Sequence, residues 1–409
     1  MNKISVKSLI VYIALYLTLF IDLYYNLDYS NKGSTKDFYQ TFPLILDLNN
    51  LDISNWGSHT RHFPLHYVIM ALIYFIFDNE FHMRIIYLFL VFFIPYVFFL
   101  NLKIKYPEIS KDKLFIFSTI LFLFPFFRSS AVWPNSMMTS FFFYILSSYF
   151  LLNFLNTKKK YLMFLSITFL SFAVYSVQYF AAFFLIYLFV IFQELGKKTL
   201  INFFLICLLF SIPGFIFLNY LPYTSNITFS DNFSNVLIIS LSVIFFYLMS
   251  LTNFDNIKIL LDNLSKRLKN RKIIFLSIFI LISYLVFFNY PELTNLGGGI
   301  FVKISNIIYG NNLNIIIFSL LGFFYLIAVS DNDNNSLHIG IIFLTFFLIS
   351  YNEIIYQKYY EPMFLFSFII FAKNSFIIKV LEKYKNIFLT MIFYFIYLNS
   401  SFLYLYFIN

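Results

Sequence analysis

The chain has 409 residues, of which 61% are hydrophobic and only 11% are charged, and its mean hydropathy is +0.80. Soluble globular domains carry about 25% charged residues, so the composition excludes that class. The net charge of +9 lies mainly in short polar segments between apolar runs. We therefore attribute it to membrane topology and anionic lipid headgroups, and we expect no nucleic-acid partner.

Apolar runs of about 15 to 20 residues recur along the chain and predict an all-α, polytopic transmembrane helical bundle in one domain, 1–409. Lys3 and Lys7 precede the first run, so we expect a cytoplasmic N-terminus and a retained first helix. About 13 spans are predicted, at 8–26, 83–101, 114–127, 137–155, 161–175, 177–193, 199–219, 236–252, 273–289, 312–329, 336–350, 362–373 and 387–407.

The first outer loop, 27–82, contains an apolar stretch of its own at 64–77. This stretch is short for a span. If it crossed the membrane, the lysine-rich segment 103–113 would lie outside and the alternation of charge between loops would fail. We therefore predict an interfacial helix at 64–77 and no separate soluble domain.

Asp37, in the segment KDFYQ, is the acidic residue of most interest in this loop. We expect Ser34 or Thr35 to cap a short helix that Asp37 begins. The carboxylate then has two interpretations: a favourable charge at a helix N-terminus, or a general base for an acceptor hydroxyl.

Seven cations fall in outer loops or at their borders despite the topological bias. Arg84 opens a span, Arg128 begins the loop RSSAVWPNS, and Lys358 lies in an aromatic, acidic loop. Guanidinium groups grip phosphate oxygens in pairs, so such cations suit a lipid phosphate. The alternative is that they are solvated or paired with nearby carboxylates, among which Asp22 lies near the outer end of the first span. The seven are Lys32, Lys36, Arg61, Arg84, Arg128, Lys303 and Lys358.

The histidines do not predict a metal site. His62 and His66 are four residues apart, but Pro64 stands between them and the chain has no HExxH pattern. Gly297 to Gly299 lack the Lys and Ser/Thr partners of a P-loop, so we expect no nucleotide donor and no divalent metal.

The order of these features resembles the GT-C superfamily of integral-membrane glycosyltransferases, which use polyprenyl-phosphate-linked sugars. Members have an acidic residue after the first span, then an HPPLYY-like helix, then an arginine opening the next span. Asp37, HFPLHY at 62–67 and Arg84 occupy these places, and 124–152 is similar to the next outer loop and span. Lys358 to Pro362 loosely match a late RY…P motif. The chain departs from the pattern at Asn135, where many members have Asp, at Lys358, which replaces Arg, and in the single proline of HFPLHY.

The resemblance implies sugar transfer from a polyprenyl-phosphate donor to a hydroxyl acceptor on a glycolipid, polysaccharide or protein, at the outer face of a bacterial cytoplasmic membrane. It implies that Asp37 is the catalytic base and that Arg84, Arg128 and Lys358 bind the lipid phosphate. His62, His66, Tyr359 and Glu361 are further candidates for substrate binding. The expected partners are the lipid donor and membrane lipids; the oligomeric state is not predicted.

Two other functions stay open at this point. An O-antigen or exopolysaccharide polymerase of the EpsG-like type would use a lipid-pyrophosphate-linked repeat and shares the aspartate-aromatic first loop and the arginine after the third span. A lipid-linked oligosaccharide flippase or transporter would place charges and broken helices in mid-membrane. The ionisable residues cluster instead at outer helix ends, which favours transfer.

Overall fold

The computed structural model describes residues 4–50, 52, 60, 62–218, 233–270, 299–309, 313–330, 333–350, 356–372 and 375–408. All regular secondary structure in these ranges is helical, as the sequence predicts. The chain divides into two compact units, Met1–Ser225 with Met391–Asn409, and Asn226–Thr390. Each unit is described by itself.

The first unit is built from nine α-helices and the C-terminal part of a further one. They are α1 Val6–Tyr24, α2 Gly33–Asn49, α3 Leu65–Phe77, α4 Glu80–Lys105, α5 Lys111–Ser118, α6 Pro125–Val132, α7 Ser136–Thr157, α8 Lys160–Ser176 and α9 Phe183–Leu218. The described helices of the second unit are α10 Phe233–Met249, α11 Phe254–Arg267, α12 Gly299–Tyr309, α13 Leu313–Val329, α14 Asp333–Ile349, α15 Met363–Phe371 and α16 Ser375–Glu382. Helix α17, Tyr384–Leu403, begins in the second unit and ends in the first.

Five described helical segments are long and apolar enough to cross a membrane, and two bent helix pairs raise the number to seven. This is consistent with an integral membrane protein. The predicted total of about 13 spans exceeds this number, and four of the predicted spans correspond to apolar helices of 17 residues or fewer. The predicted span 273–289 lies outside the described residues. The five segments are Val6–Tyr24, Glu80–Lys105, Ser136–Thr157, Gln178–Phe217 and Tyr384–Tyr406.

The structure differs from several of the predicted spans. The predicted spans 177–193 and 199–219 form a single helical stretch, interrupted at Gly196, whose φ of 76° is outside the helical region. The predicted span 114–127 is instead a pair, Lys111–Leu123 and Pro125–Val132, bent by 71°. Pro125 causes the break, because proline disfavours a helical conformation in the residue before it and starts a new helix readily. Arg128 consequently lies within α6, after the bend.

The start of α2 corrects the predicted cap. The helix begins at Gly33, four residues before Asp37, and Lys32 precedes it in a left-handed conformation without a side-chain cap. The carboxylate of Asp28 performs this function: its Oδ2 accepts hydrogen bonds from the Thr35 amide (2.7 Å) and hydroxyl (2.8 Å). Asp28 therefore fixes the first turn, and Asp37 lies one turn inside the helix.

Helix α3 has 13 residues, close to the predicted stretch 64–77. At 1.5 Å per residue it is about 20 Å long, shorter than the roughly 30 Å of a bilayer core. Its interfacial position stays a prediction.

Serine side chains join helices α7 and α8. Ser140 of α7 donates to the Ala173 carbonyl of α8 (2.9 Å), and Ser147 donates to the Ser166 carbonyl (2.6 Å). Small residues of this kind allow helix backbones to approach closely in apolar surroundings. The two contacts join α7 to α8, and the first turn of α7 carries Thr139, the partner of His66 described below.

Candidate functional site

Asp37 projects from α2 as a half-buried carboxylate. Its neighbour in space is Tyr67 of α3, the last residue of HFPLHY. Burial, with a smaller contribution from the negative charge of Asp37, raises the pKa of Tyr67 to about 12. Phe42 of α2 and Tyr74 of α3 pack edge to face with ring centroids 5.6 Å apart, which holds the two helices together. The structure thus brings the acidic residue and the HFPLHY segment to one place.

Phe63 anchors the HFPLHY segment. Its side chain is 5% exposed and packs against Tyr175 of α8 and Phe217 of α9, with ring centroids 6.2 and 5.7 Å away. This contact fixes the two histidines on either side of Phe63 relative to α7 and α8.

His66 and His62 have different surroundings. His66 is buried, and its Nδ1 lies 2.8 Å from the Thr139 hydroxyl of α7. Burial, with a smaller contribution from His62, lowers the pKa of His66 to about 3, so the imidazole is neutral at pH 7. Without a bound anion, His66 is therefore an uncharged hydrogen-bonding group. His62 is half-buried and its Nδ1 lies 3.2 Å from Oε1 of Gln178.

Arg84 is 4% exposed and lies in the first turns of α4. Its Nε donates to the Val132 carbonyl (2.8 Å), and its guanidinium carbon lies 3.7 Å from the ring centroid of Trp133. Glu80 approaches only to 3.6 Å, a loose pairing with Nη1. Nη2 is buried and has no hydrogen-bond partner among the described residues. A buried guanidinium with open donors is suited to binding an anion.

Trp133 connects Arg84 to the helix of Asp37. Its ring lies 5.8 Å from Phe38 and 5.6 Å from Tyr39, the two residues that follow Asp37 in α2. The Tyr39 hydroxyl donates to Glu80 (3.2 Å), the same carboxylate that faces Arg84. Asp37 and Arg84 are therefore carried by one continuous set of contacts.

Arg128 is equally buried, but its guanidinium is fully occupied within the protein. Nε and Nη2 contact Oδ2 of Asp22 at 2.7 and 2.6 Å. Nη1 donates to the Thr18 hydroxyl and the Phe122 carbonyl, and Nη2 also donates to the Thr18 carbonyl. These contacts use all five N–H donors of an arginine. The alternative weighed in the sequence, pairing with a nearby carboxylate, is the arrangement that the structure gives for Arg128.

Lys358, Tyr359 and Glu361 belong to the second unit. Glu361 is 1% exposed and accepts a hydrogen bond from the Tyr247 hydroxyl (3.0 Å), which also accepts one from Gln357 (3.1 Å). The Lys358 ammonium lies 5.0 Å from the centroid of the Tyr356 ring. The buried Glu361 thus connects the loop before α15 to α10.

Several residues of the first site were missed in the sequence. Tyr67, Trp133 and Gln178 lie in aromatic or apolar stretches that look like lipid-facing or core segments. Glu80 is one of several carboxylates in the predicted first outer loop, and nothing in its sequence context distinguishes it from the others. Tyr67 is next to His66, and Trp133 and Glu80 lie within four residues of Asn135 and Arg84, but Gln178 has no such neighbour in the sequence. Arg61 and Glu353 lie outside the described residues.

Among the described residues, no three His, Cys, Asp or Glu side chains gather where they could hold a metal ion. No protein-family model, no curated protein and no solved structure matches the chain, so a family assignment and an activity can only be proposed.

Proposed function

We propose that the chain is a membrane glycosyltransferase of GT-C type, which moves a sugar from a polyprenyl-phosphate donor to a hydroxyl acceptor. The observation that carries the proposal is that the helices of Asp37 and Arg84 meet at Trp133. The Arg84 guanidinium stacks on the Trp133 ring, and Phe38 and Tyr39, which follow Asp37 in α2, pack against the same ring. The Nη2 of Arg84 has no hydrogen-bond partner among the described residues. A base for the acceptor and a cation for the leaving phosphate are the two groups that such a transfer needs.

The steps follow from these groups. Asp37 accepts the proton of the acceptor hydroxyl, whose oxygen forms a bond to the anomeric carbon of the donor sugar. The bond between that carbon and the phosphate oxygen breaks, and the lipid phosphate leaves with the electron pair. The Arg84 guanidinium binds the phosphate as its negative charge increases, in surroundings where a buried charge acts strongly. Tyr39 holds Glu80 beside Arg84, where it balances the cation before the donor binds.

The position of the buried charges supports transfer over transport. Asp22, the partner of Arg128, lies in the last turn of α1, and Arg84 lies in the first turns of α4. Both are at helix ends, whereas a transport path would place ionisable groups near mid-membrane. We further propose the topology of the sequence prediction: about 13 spans, a cytoplasmic N-terminus, and the Asp37 site at the outer face of a bacterial cytoplasmic membrane.

Replacing Asp37 with asparagine tests the base assignment. We expect Asp37→Asn to lower sugar transfer from a radiolabelled polyprenyl-phosphate sugar by at least about 100-fold, since general-base catalysis contributes roughly that much. The measurement uses membrane vesicles holding equal amounts of folded protein. Asp47→Asn, a second half-buried carboxylate of α2, is the matched control and should keep its activity. Equal turnover in Asp37→Asn and the control would exclude Asp37 as the base.

A further inference from the structure

A second group of polar and aromatic side chains lies where α8 ends. Gln178 and Tyr179 open the short 3₁₀ turn that follows α8, and His62 faces both of them. The imidazole Nδ1 is 3.2 Å from Oε1 of Gln178, and the His62 and Tyr179 rings meet edge to face at 6.0 Å. All three side chains are half-buried, so part of each is accessible. We call these three residues the His62 cluster.

The His62 cluster is connected by hydrogen bonds to Tyr67, the neighbour of Asp37. The His62 amide donates to the Thr60 hydroxyl (3.1 Å), which lies 3.0 Å from the hydroxyl of Tyr67. Tyr67 is the residue on which the charge of Asp37 acts. The cluster therefore lies on the Asp37 side of the site, whereas the aromatic contacts through Trp133 lead from Asp37 to Arg84.

The chemistry of the cluster differs from that of the Arg84 side. An amide, an imidazole and a phenol together offer several donors and acceptors, and neither the amide nor the phenol is charged at neutral pH. Tyr179 adds an aromatic surface with a polar end. A sugar ring presents neighbouring hydroxyl groups at its edge and C–H groups on its faces. The amide of Gln178 and the imidazole of His62 suit the hydroxyl groups, and the ring of Tyr179 suits the C–H faces. A phosphate would find its cation at Arg84.

We propose that the acceptor is itself a saccharide, and that His62, Gln178 and Tyr179 bind its ring so that one of its hydroxyl groups reaches Asp37. The inference rests on the proposed function, because it names the acceptor class of the same site. It excludes a serine or threonine side chain of a protein as the acceptor, since such a group offers no ring for the cluster to bind.

Equilibrium binding tests the subsite without any transfer. Methyl glycosides of a hexose, an N-acetylhexosamine and a pentose are titrated into the detergent-solubilised full chain, followed by saturation-transfer NMR, with a serine-containing peptide as the competing ligand. We expect at least one glycoside to bind and the peptide not to bind. Gln178→Ala should weaken glycoside binding by about tenfold, because it leaves hydroxyl groups of the sugar without a partner.

Matched variants separate binding from folding. Gln40→Ala and Tyr161→Ala remove the same side-chain types from exposed positions and should bind as wild type. If Gln178→Ala does not fold, the pair Tyr179→Phe and Tyr179→Leu replaces it: the first keeps the aromatic surface and should weaken binding less than the second. Absence of glycoside binding, equal binding in Gln178→Ala and Gln40→Ala, or peptide binding that depends on Gln178 would each overturn the subsite.

Asp37→Asn distinguishes the failure of the subsite from the failure of the proposed function. If Asp37→Asn and wild type bind the glycoside equally but wild type transfers sugar from no lipid donor, the subsite stands and the transferase proposal fails. If wild type glycosylates a saccharide with a KM that Gln178→Ala leaves unchanged, the transferase stands and the subsite fails.

Discussion

Arg84 and Arg128 are both 4% exposed, yet their guanidinium groups differ in the number of partners. All five N–H donors of Arg128 have acceptors, which belong to Asp22, Thr18 and Phe122. Arg84 retains an Nη2 without a partner among the described residues. An arginine that is saturated in this way holds helices together, whereas one with open donors remains able to bind an anion. Arg128 therefore joins α1 and α6, and under the proposed function Arg84 is the arginine that would bind the phosphate.

Removing Arg128 should lower stability and leave the donor requirement unchanged. Arg128→Ala leaves Asp22 buried without its cation, and such a loss costs about 3–5 kcal/mol of unfolding free energy. Denaturant unfolding in detergent measures this cost. Arg84→Ala is the comparison: it should lose less stability than Arg128→Ala, but its KM for the lipid donor should rise. If Arg128→Ala is as stable as wild type and has a higher KM for the lipid donor, Arg128 binds the phosphate and the structural role is contradicted.

Removing the charge of Glu80 should tighten donor binding. The carboxylate lies 3.6 Å from Arg84 and is 31% exposed, so it competes modestly with a phosphate for the guanidinium. We expect Glu80→Gln to lower the KM for the lipid-phosphate donor by up to about fivefold, which corresponds to about 1 kcal/mol for a partly exposed pair. Steady-state kinetics at varied donor concentration measure it. Glu108→Gln, exposed and distant in sequence, is the control, and a donor KM that is unchanged or higher in Glu80→Gln contradicts the competition.

At the scale of elements, α2 determines where Asp37, the proposed base, lies. The helix is capped from a distance by Asp28, seven residues before Thr35, and its aromatic residues then contact Trp133. Sequence patterns for helix caps consider the residue just before the helix. They therefore indicate Ser34 or Thr35. They do not detect a carboxylate such as that of Asp28, which comes several residues before the helix and caps it across a loop.

Loss of the Asp28 cap should affect both stability and transfer. Asp28→Ala removes the acceptor for the Thr35 amide and hydroxyl, and the loss of a cap costs about 1 kcal/mol of unfolding free energy. We expect a lower kcat as well, because Asp37 lies in the second turn of the freed helix. Asp28→Asn keeps one acceptor oxygen, so its stability and kcat should fall between those of Asp28→Ala and wild type. If thermal unfolding and kcat of Asp28→Ala both equal those of wild type, Asp28 does not position α2.

The sequence predicts the three longest uninterrupted helices of the first unit within a few residues, because mostly apolar segments of 19 to 26 residues leave little choice of structure. It does not predict the bend before Pro125, since apolar residues continue on both sides of it. It identifies Asp37 and Arg84 as candidate site residues, because their charges stand out in an apolar chain. It misses Trp133 and Gln178, because in this chain an aromatic or amide side chain near a helix end is common.

At the scale of the whole molecule, two kinds of information point to the same end of the helices. The distribution of Lys and Arg among loops predicts which loops lie outside, and the residues of the proposed site fall in loops or helix ends of that set. The contacts of the first unit then gather Asp37, HFPLHY and Arg84 from three separate helices. Sequence order alone could suggest this grouping only through a resemblance, since no pattern of spacing fixes contacts between distant helices.

The products of the reaction test the central claim most directly. The purified chain in liposomes is supplied with a polyprenyl-phosphate sugar and a saccharide acceptor, and the lipids are identified by mass spectrometry. Sugar transfer predicts that free polyprenyl phosphate appears in equal amount to glycosylated acceptor, and that both are lost in Asp37→Asn. If the lipid-linked sugar only changes leaflet and stays intact, or if the chain releases polyprenyl pyrophosphate when a pyrophosphate-linked repeat is supplied in place of the phosphate donor, the proposed transferase is contradicted.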